Sequence, residues 1–248
     1  MGKKMYSCVV LSGGMSTRMG QDKGSMIIQE KPMILHILEK LNYKINDAVI
    51  VLNNQERIRL YKDLLNQYCD GDIENYFSYR LKFVEDDVKS KGPISGIMTG
   101  LKNIETDYAL ILPCDSPFIS IKFIKKMFRM LDKNKENERL DAIIPFHKKA
   151  NKARFKNNDE FNFENAEDMP LNQKIHNCEP LHSIYKKDNL NHISKLLNED
   201  NLYVKSFIIS LENIKFIEID NKFLYDDDFE NINRKEDLEN YFKKHETQ

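Results

Sequence analysis

The sequence lacks most of the features that would assign it to a class at sight. Its charges cancel, since 38 Lys and Arg face 39 Asp and Glu and leave a formal net charge of −1. That balance argues against general electrostatic capture by nucleic acid or by an anionic membrane. No apolar run approaches the roughly 18–20 residues needed to span a bilayer. In MGKKMYSCVVLSGG the apolar stretch after the basic pair is short and has no small-residue cleavage site, so it reads as a first strand rather than a signal peptide. The four cysteines, Cys8, Cys69, Cys114 and Cys178, are far apart and form no CxxC. This pattern fits the reducing cytoplasm, with Cys8 and Cys114 packed as small hydrophobes, better than a disulfide scaffold or a zinc knuckle. The six histidines make neither HExxH nor CxxH, and His176 with Cys178 is a weak pair for a metal. There is no internal repeat.

What is present is an α/β pattern. A chain of 248 residues, 41% hydrophobic, suits one large domain with an insertion, here 1–248, and would cramp two. Strands are expected at Tyr6–Leu11, Ala48–Leu52, Leu81–Val84, Tyr108–Leu112 and Ala142–Phe146. Between them the apolar spacing turns helical: Ile34 to Leu41 behind Pro32, Ile58 to Leu65, a stretch from Gly92-Pro93 to Ile104, and Phe123 to Leu131. Strand–helix alternation with near-continuous apolar strands predicts a Rossmann-like, three-layer α/β/α fold around a mostly parallel sheet with right-handed crossovers. From His147 to Cys178 apolar residues thin out and Lys, Asn, Glu and Asp dominate. That stretch reads as a polar, mobile insertion, with a lid or an acceptor-binding loop as the alternative. Order is expected again at Pro180–Tyr185, in a helix near Leu190–Leu197, a strand at Ile214–Ile219 and a last helix from about Arg234 to Phe242.

The chemistry concentrates behind the strands. Ser12-Gly13-Gly14-Met15-Ser16-Thr17-Arg18-Met19-Gly20-Gln21-Asp22-Lys23 follows the first strand at its carboxyl end, where open α/β sheets bind ligands. Gly13 and Gly14 can take positive φ and let backbone N–H groups approach phosphate oxygens. Arg18 supplies a planar fork and Lys23 a mobile point charge, the pair of cations a triphosphate needs. No GK[ST] closes the loop and no GxGxxG opens a helix, so it is neither a Walker loop nor a dinucleotide fingerprint; an ordinary glycine turn with surface charges is the competing reading. Asp115 ends the fourth sheet strand on the same edge, placed to anchor Mg²⁺ near a triphosphate or to cap the following helix. Asn53 and Asp86 follow the second and third strands and can read a base edge or ribose hydroxyls, or simply serve their turns. Gly92 and Pro93 let a helix start close to a ligand. Asn231 and Asn233 can supply an acceptor contact or a second metal contact, against a capping-box pairing of Asn233 with Glu236.

Taken together, LSGGMSTRMGQDKG at 11–24, GPISG at 92–96, LPCDSPF at 112–118, EPLHSIY at 179–185 and NINRKEDL at 231–238 resemble the GGxxxRMGxDK nucleotidyltransferases, and among them the molybdenum cofactor guanylyltransferases. The resemblance spans most of the chain. It implies a nucleotidyltransferase-type sheet, GTP and molybdopterin as substrates, and Mg²⁺ as cofactor. It implies that Leu11, Ser12, Gly13, Lys23, Asn53 and Asp86 hold nucleotide, and that Asp115 holds nucleotide and Mg²⁺. Arg18, Lys23 and Asp115 are then the catalytic set. In the implied reaction the terminal phosphate of molybdopterin attacks the α-phosphorus of GTP and pyrophosphate leaves. That nucleophile is already anionic, so no general base is needed, and the work is alignment and charge neutralisation. The chain departs from the family pattern around Tyr68–Tyr79 and at 147–178. The EPL segment that follows is expected to border the acceptor.

Rival readings are a CTP-dependent molybdopterin cytidylyltransferase or another transferase to a phosphate acceptor, and a non-catalytic nucleotide-binding carrier of the cofactor. Lys23 and Asp115 weigh against the carrier, because binding alone tolerates loss of a metal carboxylate. No nucleic acid or membrane partner is expected. Transient contacts with proteins that deliver or receive the cofactor are.

Overall fold

The computed structural model describes residues 6–13, 22–42, 45–135, 140–148, 168–220 and 229–245. In chain order these form β1 (Ser7–Leu11), a two-stranded hairpin of β2 (Ile27–Ile28) and β3 (Lys31–Pro32), α1 (Met33–Lys40), β4 (Asp47–Leu52), α2 (Gln55–Tyr68), the single turn α3 (Ile73–Tyr76), β5 (Arg80–Glu85), α4 (Pro93–Asn103) and β6 (Tyr108–Pro113). They continue with α5 (Ile121–Lys135), β7 (Ala142–His147), α6 (Leu171–His176), β8 (Ile184–Lys186), α7 (Leu190–Asn198), α8 (Val204–Ile209), β9 (Ile214–Ile219) and α9 (Lys235–His245).

Seven strands make one sheet in the order β5-β4-β1-β6-β8-β7-β9. The pairs β1–β4, β1–β6, β4–β5 and β7–β9 are parallel, as the unbroken apolar strands predict. β8 is the exception: it runs antiparallel between β6 and β7. Its three residues, Ile184-Tyr185-Lys186, are too short to show a period, which is why direction was not legible there.

Alternation along each strand sends side chains to opposite faces. Cys8, Val10, Ile50, Leu52, Leu110 and Leu112 point into a core covered by α1, α2 and α5. Val9, Val49, Val51, Ala109 and Ile111 point into a second core covered by α4, α7 and α8. On that second face α4 lies close against β1: a Cβ on Gly96 would sit 3.1 Å from Leu11 Cδ2, and one on Gly100 would run into the Val9 methyls. These two glycines set the height of α4, and so of its amino terminus, over the sheet.

Within the polar stretch 147–178, His147 ends β7 and residues 168–178 form α6 and its flanks. Met169, Ile175 and Cys178 are buried against Phe146 and its neighbours, so sparse apolar residues suffice to dock this end. Residues 149–167 lie outside the described residues.

Candidate active site

The ladder hydrogen bonds run one residue beyond the strands on a single edge. Ser12 N–H donates to Val51 O (2.9 Å), Asp86 N–H to Leu52 O (2.7 Å) and Cys114 N–H to Leu11 O (3.0 Å). The carboxyl ends of β1, β4, β5 and β6 are thereby held level, and the residues that follow them converge. They enclose a cavity of about 750 Å³ whose lining includes Leu11, Gly13, Lys23, Asn53, Asp86, Gly92, Pro93, Asp115 and Asn231. Arg18 and Gly14 lie outside the described residues.

Lys23 and Asp115 meet here. The Lys23 ammonium lies 3.0 Å from Asp115 Oδ2 and also donates to Asn233 Oδ1. Asn233 is free to make that bond because it does not cap α9 with Glu236 as its spacing allowed. Asp237 caps instead, its Oδ2 accepting from the N–H groups of Asn233 and Arg234, both at 2.8 Å. Asn231 accepts the Ser116 hydroxyl at 2.7 Å, and Ile232 N–H donates to Asp115 O at 2.8 Å. Phe118 stacks on Tyr241 with ring centroids 3.6 Å apart, and these contacts fasten the segment before α9 to the Asp115 turn.

Gly13 serves the site differently from its expected role. Its φ is not positive, unlike those of Gly71 and Gly92. What needs glycine is proximity: a Cβ there would sit 2.6 Å from Asn53 Oδ1. Gly92 does take the left-handed region, with φ 71°, as it turns the chain into α4. Pro93 occupies the first turn of that helix, where no N–H is missed.

Asp86 is well occupied. Its Oδ2 accepts from Ser95 Oγ (2.8 Å), and its Oδ1 accepts from Thr99 Oγ1 (2.8 Å) and Val88 N–H (3.4 Å). A carboxylate has about four acceptor sites, so one remains for a ligand. Ser12 is not in the lining. It is 1% exposed and its hydroxyl lies 2.6 Å from the Tyr61 hydroxyl.

Several residues escaped the sequence reading. Asp22 takes the Tyr61 hydroxyl (2.7 Å) and the Gly24 N–H (3.2 Å) on Oδ1, and Arg57 on Oδ2 (Nε at 3.1 Å). The signal was the Tyr61 side chain on the apolar face of α2, since a buried phenol needs a partner. Burial, reinforced by the negative charge of Asp22, pushes the Tyr61 hydroxyl far above its ordinary range. On the opposite wall, Glu179, Pro180, Leu181 and His182 line the cavity. His147 Nε2 sits 2.9 Å from Glu179 Oε1, and His182 Nε2 sits 3.0 Å from Ser116 Oγ. Cys114 also lines the cavity, but burial and then Asp115 push its thiol up to about 12, so it stays protonated and is not a nucleophile.

A divalent metal fits the donor set only in a shared form. Among the described residues there is no cluster of three His, Cys, Asp or Glu side chains. Asp115 Oδ2 is held by Lys23, while Oδ1 accepts no hydrogen bond from the described residues. One available carboxylate oxygen suits Mg²⁺ that brings its waters and phosphate ligands with it, not a metal caged by protein.

Known proteins resemble this chain in sequence and in fold. A probable molybdenum cofactor guanylyltransferase of Methanothermobacter thermautotrophicus is 29% identical over 95% of this chain and 98% of its own length. A molybdenum cofactor guanylyltransferase of Histophilus somni is 31% identical over 52% of this chain and 58% of its own. Among solved structures, the molybdopterin-guanine dinucleotide biosynthesis protein A of Archaeoglobus fulgidus superposes with TM-score 0.66 at 19% identity, covering 98% of this chain and all of that one. The 4-diphosphocytidyl-2C-methyl-D-erythritol synthase of Anaerococcus prevotii gives 0.62 at 15%, covering 97% of this chain and 96% of its own. These two likenesses fix the fold. The model of the MobA-like NTP transferase domain matches residues 8–214, most of the sequence, and the chain belongs to that family.

Proposed function

We propose that this protein transfers GMP from GTP to the terminal phosphate of molybdopterin carrying molybdenum, forming the guanine dinucleotide cofactor and releasing pyrophosphate. The observation that carries the reading is the Lys23–Asp115 pair, held 3.0 Å apart at the carboxyl edge of the sheet inside a cavity of about 750 Å³. That volume lies within the 300–1,000 Å³ range typical of small-molecule sites. The naming of relatives as molybdenum cofactor guanylyltransferases supports guanine and molybdopterin.

The chain's own groups divide the work. An acceptor phosphate oxygen forms a bond to the α-phosphorus, and the bond from that phosphorus to the oxygen bridging the β-phosphorus breaks. Lys23 neutralises the charge that accumulates on the departing pyrophosphate, and Arg18 is assigned the same task. The backbone at Leu11-Ser12-Gly13 and the Asn53 amide hold the nucleotide. Asp86, fixed by Ser95 and Thr99, offers its remaining acceptor site to a ribose hydroxyl. Asp115 would hold Mg²⁺, which when bound supplies charge neutralisation across the phosphates. Because the acceptor is already an anion, no side chain has to remove a proton. The wall at Glu179–His182 and Asn231 faces the acceptor.

Four buried free cysteines support a cytoplasmic setting for the reaction. The product passes by transient contact to proteins that receive the cofactor. No described helix is long and apolar enough to cross a membrane.

The test is a thermal-shift titration with GTP, CTP, ATP and UTP, each with and without Mg²⁺, followed by pyrophosphate release with molybdopterin. A ligand that binds only the native state raises its stability. The expected result is a Mg²⁺-dependent shift with GTP, lost in Asp115→Ala, and transfer reduced by about 10²–10³-fold in Lys23→Ala. A CTP-selective shift would move the enzyme to cytidylyl transfer. No shift with any nucleotide would overturn the proposal.

A further inference from the structure

The Tyr61 hydroxyl touches both flanks of the glycine-rich loop. It lies 2.7 Å from Asp22 Oδ1, just before Lys23, and 2.6 Å from Ser12 Oγ, just before Gly13. The direction of each bond follows from counting protons. A carboxylate only accepts, so the single phenolic proton goes to Asp22, and the Ser12 hydroxyl must donate to Tyr61. One oxygen therefore links the residue where the chain leaves β1 to the residue where it returns.

The link is rigid and secluded. Tyr61 is fully buried and Ser12 is 1% exposed. Arg57, one turn earlier on α2, binds the other oxygen of Asp22. With Gly24 N–H, Tyr61 and Arg57 occupy most of the acceptor capacity of Asp22, which leaves it unsuited to bind metal or to act as a base. Its role is to hold the turn at Lys23–Ser25, which it caps. Gly24 belongs to the same device: a Cβ there would strike the Tyr61 hydroxyl and sit 3.0 Å from Ser12 Oγ. The amino terminus of α2 is in turn pinned by Asn54, whose Oδ1 accepts Arg57 N–H at 2.9 Å and which directly follows Asn53.

We infer that Tyr61, braced by Arg57 and acting through Asp22, is a positioning residue that staples the two flanks of the loop and so keeps the Lys23 ammonium at Asp115. Neither Tyr61 nor Arg57 lines the cavity. The kinetic part of this inference rests on the nucleotidyl-transfer reading, but the placement of Lys23 does not.

Two readouts test it on the full chain. The first is amine labelling of Lys23 by reductive methylation, followed by mass spectrometry, with exposed Lys215 on β9 as internal reference. Tyr61→Phe keeps the ring and removes the hydroxyl, while Arg57→Met removes the brace from a less buried position. Each is expected to raise the Lys23 labelling rate about fivefold relative to Lys215, the equivalent of one hydrogen bond. The second readout is the turnover cycle. Tyr61→Phe should lower kcat about ten- to a hundredfold, as a misplacement near 1 Å does. In a Lys23→Ala background it should lower kcat no further, because Tyr61 acts through Lys23. Unchanged labelling in both variants overturns the staple whatever the activity. Raised labelling with normal turnover, or additive losses in the cycle, overturns its role in the reaction. A wild-type protein that does not transfer nucleotide overturns the functional reading instead, and the labelling alone then decides the placement.

Discussion

Replacing Gly13 by alanine tests the proposed nucleotide contact of Asn53 at one atom. The backbone there tolerates alanine, because φ is not positive. The added methyl is the only perturbation, and it arrives 2.6 Å from Asn53 Oδ1, where ordinary contact begins at 3.4 Å. The Asn53 amide must therefore withdraw by about 0.8 Å, far enough to break a hydrogen bond of normal length. A hydrogen bond lost to a bound ligand costs about 1 kcal/mol, and misalignment adds to it, so Mg·GTP should bind about tenfold more weakly. Asn53→Ala removes the same amide directly and should match that loss. The double variant is the decisive one. With alanine at position 53 there is no Oδ1 for the new methyl to strike, so Gly13→Ala should cost almost nothing further. Both positions are half-buried, so the unfolding free energy from urea titration should change by less than about 0.5 kcal/mol. Calorimetric titration of the four proteins with Mg·GTP measures the cycle. Wild-type affinity in Gly13→Ala, or fully additive losses in the double variant, would refute the assignment of Asn53 to the nucleotide and of Gly13 to its close approach.

Gly100→Ala should destabilise the fold by about 1–2 kcal/mol, because overpacking against Val9 outweighs the helix-propensity gain of about 1 kcal/mol; Val9→Ala in the same chain should recover part of it in urea unfolding. Stability should fall above pH 9: burial raises the Cys114 and Cys178 thiols from 9.0 to about 12, so between those values the unfolded state loses protons the folded state keeps. Each should cost on the order of 1 kcal/mol by pH 10, and a urea midpoint flat from pH 8 to 10.5 would contradict this. Tyr241→Ala should lower stability by about 2 kcal/mol and reduce turnover as well, since the Phe118–Tyr241 stack fastens the segment that brings Asn233 to Lys23; melting curves and pyrophosphate release check the two effects.

The parts of the fold legible in the sequence are those set by long apolar periods. The strand at Ile214–Ile219 has the predicted bounds, β1, β4, β6 and β7 differ from expectation by one residue at one end, and β5 by one residue at each end. The helix from Gly92-Pro93 begins at Pro93 because the left-handed Gly92 and the proline both punctuate the chain there. What could not be read was short or tertiary. The turn α3, the helices α6 and α8 and the β2–β3 hairpin are each six residues or fewer, below the length at which a period declares itself. In the site, Lys23 and Asp115 were visible because each adjoins a motif at a strand end. The Asp22–Tyr61–Arg57 cluster was not, because it joins positions 35 and 39 residues apart that only the packing of α2 brings together. For Asn233 the sequence leaves a ligand contact and a cap with Glu236 both open, because Glu236 and Asp237 are adjacent; Asp237 is the one whose carboxylate reaches the N–H groups of Asn233 and Arg234.

The reversed strand β8 explains why one carboxylate stands between two kinds of wall. On one side of β6 the sheet continues β1-β4-β5, all parallel, and its carboxyl ends supply Gly13, Asn53 and Asp86. On the other side β8 runs backward, so the residues at this edge are those that precede it, Glu179 to His182, rather than those that follow it. The turn after β6 faces both sides. Asp115 takes Lys23 from the loop after β1, and its neighbour Ser116 takes His182 from the segment before β8 and binds Asn231 ahead of α9. A donor and an acceptor bound on the two walls would meet beside that turn. A transfer enzyme needs this arrangement and a nucleotide carrier does not, because alignment of two reactants is the larger part of what such a site contributes.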